Sequence, residues 1–279
     1  MRRPALIALA LGCAVWAAAQ EPAAVLSSDS GHYRQALEGF TEAWGSSVPV
    51  VGAGAFLPAG ATAFVAIGTK AAARRWPRNS IVVACLAPSI ADDTDDTLTR
   101  VSLMADPQVL VKHLRVLMPR LKVLQAFWSS EASRQDTEAL VKAGEDIGVV
   151  VLSERIFPPS RLPERLRGLE DKADALWLMP DPELVNAENF AIMREYAAAQ
   201  KIPFIGPTEG LAERGATATI AVTFREMGRA AALSVRARLA GRAEAEVIYV
   251  RRATVTVNAG AARAVGLSLS SDAADKVLP

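Results

Sequence analysis

The chain has 279 residues, 51% of them hydrophobic and 22% charged, with 31 basic and 30 acidic side chains and a formal net charge of +1. This near-neutral balance, with no basic cluster, argues against nucleic acid as a partner, and two histidines and two cysteines leave too few ligands for a Cys/His zinc site. The length suffices for one large core or two modest ones.

Met1, Arg2 and Arg3 precede an apolar run over 5–16 and then Ala17-Ala18-Ala19-Gln20. A positive start, a short apolar core and an A-x-A site predict a signal peptide over 1–19, cleaved after Ala19. The run is too short to span a bilayer. A buried first helix is the alternative reading, and Ala10-Leu11-Gly12-Cys13 admits lipid anchoring through Cys13 as a lesser one. Loss of Arg2 and Arg3 turns the net charge to −1 and leaves Cys85 as the remaining thiol, so no internal disulfide is expected. Cys85 lies within IVVACLAP, where a buried, inert thiol is expected rather than a nucleophile. No later apolar run is long enough for a membrane span, which predicts a soluble periplasmic product.

From Ala23 onward strands and helices alternate. AAVLSS reads as a buried strand, and 29–44 carries helical spacing at Tyr33, Ala36, Leu37, Phe40 and Trp44. SVPVVGAG, ATAFVAIG and SIVVACLAP follow as strands, with a helix over 70–76 between the last two. A strand over 98–104 leads to an amphipathic helix over 107–118, stopped at Pro119. The alternation then restarts: KVLQAFWS, a helix over 133–147, GVVVLSERI, a helix over 161–170, ADALWLMP, a helix over 182–200, IPFIGP, TIAVT and a helix over 224–240. The tail EVIYVRRATVTVNAGAARAVGL is strand-like and then helical.

Such alternation implies parallel sheets with right-handed crossovers, and two successive series imply two α/β lobes. The predicted fold class is therefore two Rossmann-like lobes joined by hinge strands. The expected division is 20–101 plus 224–249 for lobe 1 and 102–223 plus 250–279 for lobe 2. Chain crossings are expected near 100–105, 222–225 and 249–254.

Catalytic signatures are missing. There is no G-x-S-x-G elbow and no phosphate loop, and VGAGAFL (51–57) lacks the third glycine of a dinucleotide fingerprint. Asp92-Asp93 and Asp95-Asp96 flank Thr94 without the glycine of a calcium loop, so a solvated turn is expected there. No metal, cofactor or catalytic group is implied.

Ligands of parallel α/β sheets bind beyond the carboxyl ends of strands. The residues standing there are Ser27-Ser28-Asp29-Ser30, Gly68-Thr69, Pro88-Ser89, Trp128-Ser129-Ser130, Pro180-Asp181 and Pro207-Thr208-Glu209. Ser28 and Asp29 offer oxygens to a ligand or cap the first helix. Gly68 permits close backbone approach, and Thr69 caps or binds. Asp181 either pairs with a ligand amino group or caps the helix ahead of Pro182. Trp128 is placed to stack on a flat ligand, whereas Trp177, mid-strand, is expected in the core.

SSDSGHYRQALEGF, FVAIGTKAA, VSLMADPQVLVKHLRVLMPRLKVL, ADALWLMPDPELV and above all IPFIGPTEGLAERGATATIAVTFREMGRAAA resemble the periplasmic substrate-binding proteins of ABC transporters with the type I, ribose-binding-like fold. Within them the chain is similar to the branch that includes tryptophan- and tyrosine-binding members. The resemblance implies two lobes that close on a small-molecule ligand and then dock, as a monomer, on an ABC permease in the inner membrane. Carried over by position, Ser28, Asp29, Gly68, Thr69, Asp181, Thr208 and Glu209 are the expected ligand-binding residues. A periplasmic sensing or scaffold module working with a receptor, kinase or exporter is the alternative. Two departures stand out: the helix expected between 44 and 63 is missing, and Thr223 stands where relatives commonly carry an acidic residue.

Overall fold

The computed structural model describes residues 21–90, 98–169, 173–267 and 273–279. The signal-peptide segment, Cys13 and the Asp92–Asp96 carboxylates lie outside the described residues.

Two sheets organise the chain. The first contains β1 (Ala23–Leu26), β2 (Val50–Gly52), β3 (Ala63–Ile67), β4 (Ile81–Cys85), β5 (Leu98–Ala105) and β11 (Val247–Val250), in the order β2-β1-β3-β4-β5-β11. The second contains β6 (Val123–Trp128), β7 (Val150–Arg155), β8 (Ala175–Leu178), β9 (Phe204–Gly206), β10 (Ala218–Ala221), β12 (Thr254–Asn258) and β13 (Lys276–Leu278), in the order β7-β6-β8-β9-β10-β12-β13. Each sheet winds outward from its first strand in the same doubly wound order, which leaves a crevice at the carboxyl ends. Apolar runs such as AFVAI and ALWL are buried on both faces, as parallel strands require.

The parallel expectation fails at one pair: β12 runs antiparallel to β10. The cause is chain entry. β11 is parallel to β5 and ends at the carboxyl side of the first sheet. Residues 251–253 then enter the second sheet from its own carboxyl side, so β12 must run backwards.

The other two crossings each end in a helix cap. β5 stays in the first sheet through Ala105, beyond the expected boundary at 101/102, because Val250 still pairs with Ala105. Asp106 then accepts from the amides of Gln108 (3.0 Å) and Val109 (3.2 Å) and starts α3 (Pro107–Leu117) with Pro107 in the first turn. After β10, Thr223 Oγ1 accepts from the Glu226 amide (3.2 Å) and starts α8 (Phe224–Leu239), which returns to the first sheet.

α1 (Gly31–Trp44) and α8 cover one face of the first sheet, with Phe40, Val65, Val83, Met227 and Val235 in the shared core. The other face carries Phe64, Ala66, Val82 and Ala84. It is covered without a full helix. Residues 53–62 form turns, and α2 (Thr69–Ala72) is a single turn where a helix over 70–76 was expected. In the second sheet α3 and α4 (Arg134–Glu145) bury Leu110, Leu114 and Leu140 on one side, with Trp177 fully buried among them as expected. α5 (Leu162–Arg167) and α6 (Ala187–Gln200) cover the opposite side. The remaining short helices are α7 (Gly210–Glu213) and α9 (Ala259–Ala264).

The expected helix over 182–200 begins only at Ala187. The Asp181 carboxylate takes the amides of Glu183 (2.9 Å) and Leu184 (3.1 Å), which holds 181–186 as a loop. Asn186 then caps α6 by accepting from the Asn189 amide (2.9 Å). Cys85 is buried, and burial pushes its thiol up to about 12.

α1 and α8 touch backbone to backbone. A Cβ at Gly39 would lie 1.9 Å from the Arg225 carbonyl oxygen, and one at Gly228 would lie 1.8 Å from that of Ala36. Arg225 straddles the crossing with ion pairs to Glu38 and Glu42. Gly39→Ala or Gly228→Ala must push two helices apart and is expected to cost about 2–4 kcal/mol in urea unfolding. Gly31→Ala, with nothing within 4 Å of its Cβ, is expected to change stability by less than about 0.5 kcal/mol.

Candidate functional site

At the carboxyl ends of β9 and β10 a cavity of about 560 Å³ opens between the two halves of the molecule, within the size range of small-molecule sites. The second half supplies Thr208, Glu209 and Glu213; the crossing supplies Thr223 and Phe224; the first half supplies Gln35 from α1. Among the described residues its lining includes no lysine or arginine. Glu209 accepts from Lys276 Nζ (2.7 Å), a bond that raises the lysine's pKa, while Glu213 is exposed. Thr223 Oγ1 already accepts the Glu226 amide, which leaves its hydroxyl hydrogen available to the cavity.

Of the residues expected from the sequence, Thr208 and Glu209 line this cavity. The others are placed elsewhere. Ser28 and Asp29 are exposed beyond β1. Asp29 pairs with Arg34, whose hydrogen bond lowers the carboxyl pKa, and does not cap α1; Ser30 is the N-cap residue and makes no side-chain cap bond.

Gly68 is buried at φ 94°, and a Cβ there would meet Ser27 Oγ at 2.5 Å and Tyr33 Cζ at 2.7 Å. The close approach expected at this glycine is thus made by its own half. Ser27 Oγ also accepts the Ala71 amide (2.9 Å) in the first turn of α2, where Thr69 was an expected cap. Thr69 is half-buried beside it.

Asp181 is fully buried and internally satisfied. One carboxylate oxygen accepts from the Ser129 amide, the Ser130 amide and Ser130 Oγ, each at 2.9 Å; the other accepts from the Glu183 and Leu184 amides. With five donors in place, its role is to weld the loop after β8 to the loop after β6. Burial raises its pKa, but the amides of Ser129 and Ser130 with their neighbouring donors outweigh that and hold it below the ordinary carboxylate value. Trp128 is likewise occupied: the Arg155 guanidinium lies 5.2 Å from its ring centroid and its Nε1 donates to Ser153 Oγ (3.1 Å).

A second buried cluster joins the halves. On β5, Arg100 Nη1 lies 3.2 Å from Asp136 Oδ2, and Ser102 Oγ donates to the same oxygen (2.9 Å). Tyr249 of β11 donates its hydroxyl to Asp136 Oδ1 (2.9 Å). Arg100, Ser102 and Tyr249 belong to the first sheet and Asp136 to α4 of the second half, so a buried carboxylate of one half is held by three side chains of the other. Sequence reasoning missed it because RQDTEALVKAGE reads as an ordinary charged helix face.

The same doubly wound order in both sheets, three chain crossings and a cavity between the halves define a two-part α/β protein with the architecture of the type I periplasmic binding proteins. The profile of the ABC transporter substrate binding protein family matches residues 56–276, and the chain belongs to that family. It is therefore a binding protein rather than an enzyme, and its task is to hold a small ligand. Among curated proteins no sequence matches.

Two solved structures have the same fold with a TM-score of 0.61 and 16% identity. One is an ABC domain in complex with L-Trp from Streptococcus pneumonia, aligned over 92% of this chain and 99% of that one. The other is the ligand-free, open form of a substrate binding protein with adhesive properties from Clostridium difficile, aligned over 93% of this chain and 99% of that one. Among the described residues no helix is long and apolar enough to cross a membrane, and no group of three or more His, Cys, Asp or Glu is placed to hold a metal ion.

Asp181→Asn is expected to cost about 2–3 kcal/mol at neutral pH by chemical denaturation, since at least one buried amide loses its acceptor. The folded pKa is lowered, so the stabilisation is present above the ordinary carboxylate pKa and fades as pH falls through the lowered value. The gap between Asp181→Asn and the parent should therefore be full at pH 7 and narrow below about pH 4. Asp136→Ala removes the buried carboxylate on which Arg100, Ser102 and Tyr249 converge and is expected to cost about 3–5 kcal/mol by chemical denaturation.

Proposed function

We propose that the protein is an exported solute-binding protein that captures a small ligand in the periplasm and delivers it, as a monomer, to the permease of an ABC-type importer. Residues 20–101 with 224–249 and 102–223 with 250–279 act as the two lobes, to within the few residues by which β5 extends the first. They move about the three crossings. The cavity walled by Gln35 on one side and by Thr208, Glu209 and Thr223 on the other carries this reading. A ligand touching both walls binds the closed form better than the open one, and so shifts the population toward closure.

In this reading Thr208 and Glu209, joined by Gln35 and Thr223, contact the ligand. Ser28 and Asp29 form the outer rim, and Gly68, Thr69 and Asp181 shape the strand-end loops without contacting it. Two carboxylates, three threonine hydroxyls including that of Thr254, and the Phe224 ring line a cavity without a basic side chain. They favour a ligand that presents hydrogen-bond donors, such as an ammonium or hydroxyl groups, next to an apolar portion. The L-Trp held by the streptococcal relative is one molecule of that description, with its carboxylate left to backbone amides.

A thermal-shift screen over amino acids, amines, polyols and nucleosides tests the reading. At least one class is expected to raise the melting temperature, and Gln35→Ala or Thr208→Ala should weaken that ligand by roughly ten-fold in calorimetry at unchanged stability of the free protein. Absence of a shift from every class, or ligand binding indifferent to both substitutions, would sink it.

A further inference from the structure

One edge of the second sheet takes no part in the cavity and differs from the other sheet edges. β2, β11 and β13 end their sheets with three, four and three residues, whereas β7 runs over six, Val150–Arg155. Short strands, prolines or lysines guard an edge against pairing, and β7 has none of these. Its two charged residues are drawn to their own neighbours, Glu154 to Arg165 (3.0 Å) and Arg155 to Glu131 (3.8 Å). Val150 is 57% exposed at its start, and Phe157 is 70% exposed just beyond its end.

The direction of its backbone groups follows from the ladder. The amides of Val150 and Ile156 donate to the Lys122 and Trp128 carbonyls on the β6 side (2.8 and 2.7 Å). The alternate residues Val151, Ser153 and Arg155 therefore turn N–H and C=O away from β6, and those groups have no partner among the described residues. α4 flanks this edge: Arg134, Glu138, Val141, Lys142 and Glu145 share one hollow with Ser153. Leu140 and Ala143 of the same helix share a core with Leu124, Ala126 and Val151, which sets α4 over the β6–β7 pair.

We propose that β7 pairs antiparallel with β7 of a second copy, about a two-fold axis at Ser153, to give an isologous dimer. Ser153 then faces Ser153, and Val151 faces Arg155 on either side, each pair exchanging its outward N–H and C=O groups. On the other face of the sheet Val150 comes opposite Ile156 and beside Phe157, so the exposed apolar ends cover each other. The two α4 helices stand about two strand spacings apart over the axis, roughly 10 Å, a distance at which helices pack. They run antiparallel, so the charge order Arg134, Glu138, Lys142, Glu145 meets its own reverse: Glu138 faces Lys142, and Arg134 faces Glu145. Lys142 and Glu145 make no ion pair within their own copy among the described residues. Val141, near the middle of α4, shares its hollow with Ser153, so strand and helix are each self-complementary about the same axis. That coincidence selects a second copy over an unrelated extended peptide. The pair is a state of the free protein beside the single copy that serves a permease. It leaves the cavity free, because β6 and β8 separate β7 from β9, and it stands or falls independently of what the cleft binds.

The test is analytical ultracentrifugation of the purified protein from micromolar to near-millimolar concentration, with hydrogen exchange at both ends of that range. A dimer is expected to form as concentration rises, and the amides of Val151, Ser153 and Arg155 should become protected with it. Leu152→Lys puts a charge on the edge and should weaken the dimer roughly ten-fold. Lys142→Glu sets like charges face to face and should weaken it by about as much, and adding Glu138→Lys should restore most of the loss. Every variant should keep the parent's melting temperature at low concentration, where single copies prevail. A single species at every concentration, a dimer indifferent to these substitutions, or a dimer whose β7 amides still exchange freely would overturn the proposal. So would amides that become protected only when a peptide of alternating valine and threonine is added, which would make a foreign strand the occupant.

Discussion

The backbone contact between α1 and α8 is the constraint on which the rest of the molecule depends. The chain leaves the first sheet at Ala105, builds most of the second, and must come back. α8 is the element that comes back, and it docks by placing Gly228 against the Ala36 carbonyl while Gly39 receives that of Arg225. Contact this close fixes where α8 begins, and hence where Thr223 and Phe224 stand. Those two residues are also cavity wall. The packing of the first half and the position of the cleft are thus set by one helix pair, and Gln35 of α1 is brought to the opposite wall by the same contact.

The two halves are held at a second place by charge. Asp136 is buried, and its Coulombic attraction to Arg100 must offset two desolvated ions. The hydroxyls of Ser102 and Tyr249 supply the further hydrogen bonds that make such burial tolerable. The cluster spans β5, β11 and α4, beside two of the three crossings. A directional network suits such a junction better than an apolar contact, because its bonds fix the relative orientation of the parts that meet there and not merely their proximity.

Much of this fold was legible in the sequence because parallel strands announce themselves: AFVAI, IVVAC and ALWL are continuous apolar runs ended by small or polar loop residues. The missing helix after β2 was legible too, in the glycines and alanines of VGAGAFLPAGA. What resisted reading were features decided by tertiary neighbours. The direction of β12 follows from where residues 251–253 enter the sheet, not from its own TVTVN. The late start of α6 follows from a carboxylate five positions upstream of the cap. The residues after strand ends are told apart only by the fold. Thr208 and Glu209 reach the cavity, Gly68 is filled by Tyr33 and Ser27, and Asp181 faces inward. Gln35 and Asp136 carried no signal, since an exposed glutamine and a helical aspartate have the same local pattern wherever they point.

The different uses of two carboxylates at equivalent places follow from the company each keeps. Asp181 emerges after β8 next to the amides of Ser129 and Ser130, and its own loop folds back to offer two more. Five donors saturate a carboxylate, and the same five keep it ionised while buried, so nothing is left to offer a ligand. Glu209 emerges after β9 next to no comparable set of amides. Its longer side chain reaches solvent and pairs with the half-exposed Lys276 at 2.7 Å. An exposed pair of this kind is weakly held, so the Glu209 carboxylate can change partner at little cost. A carboxylate after a parallel strand is therefore structural when its neighbours supply backbone donors and available when they do not. In this cleft that distinction assigns the second role to Glu209 and the first to Asp181.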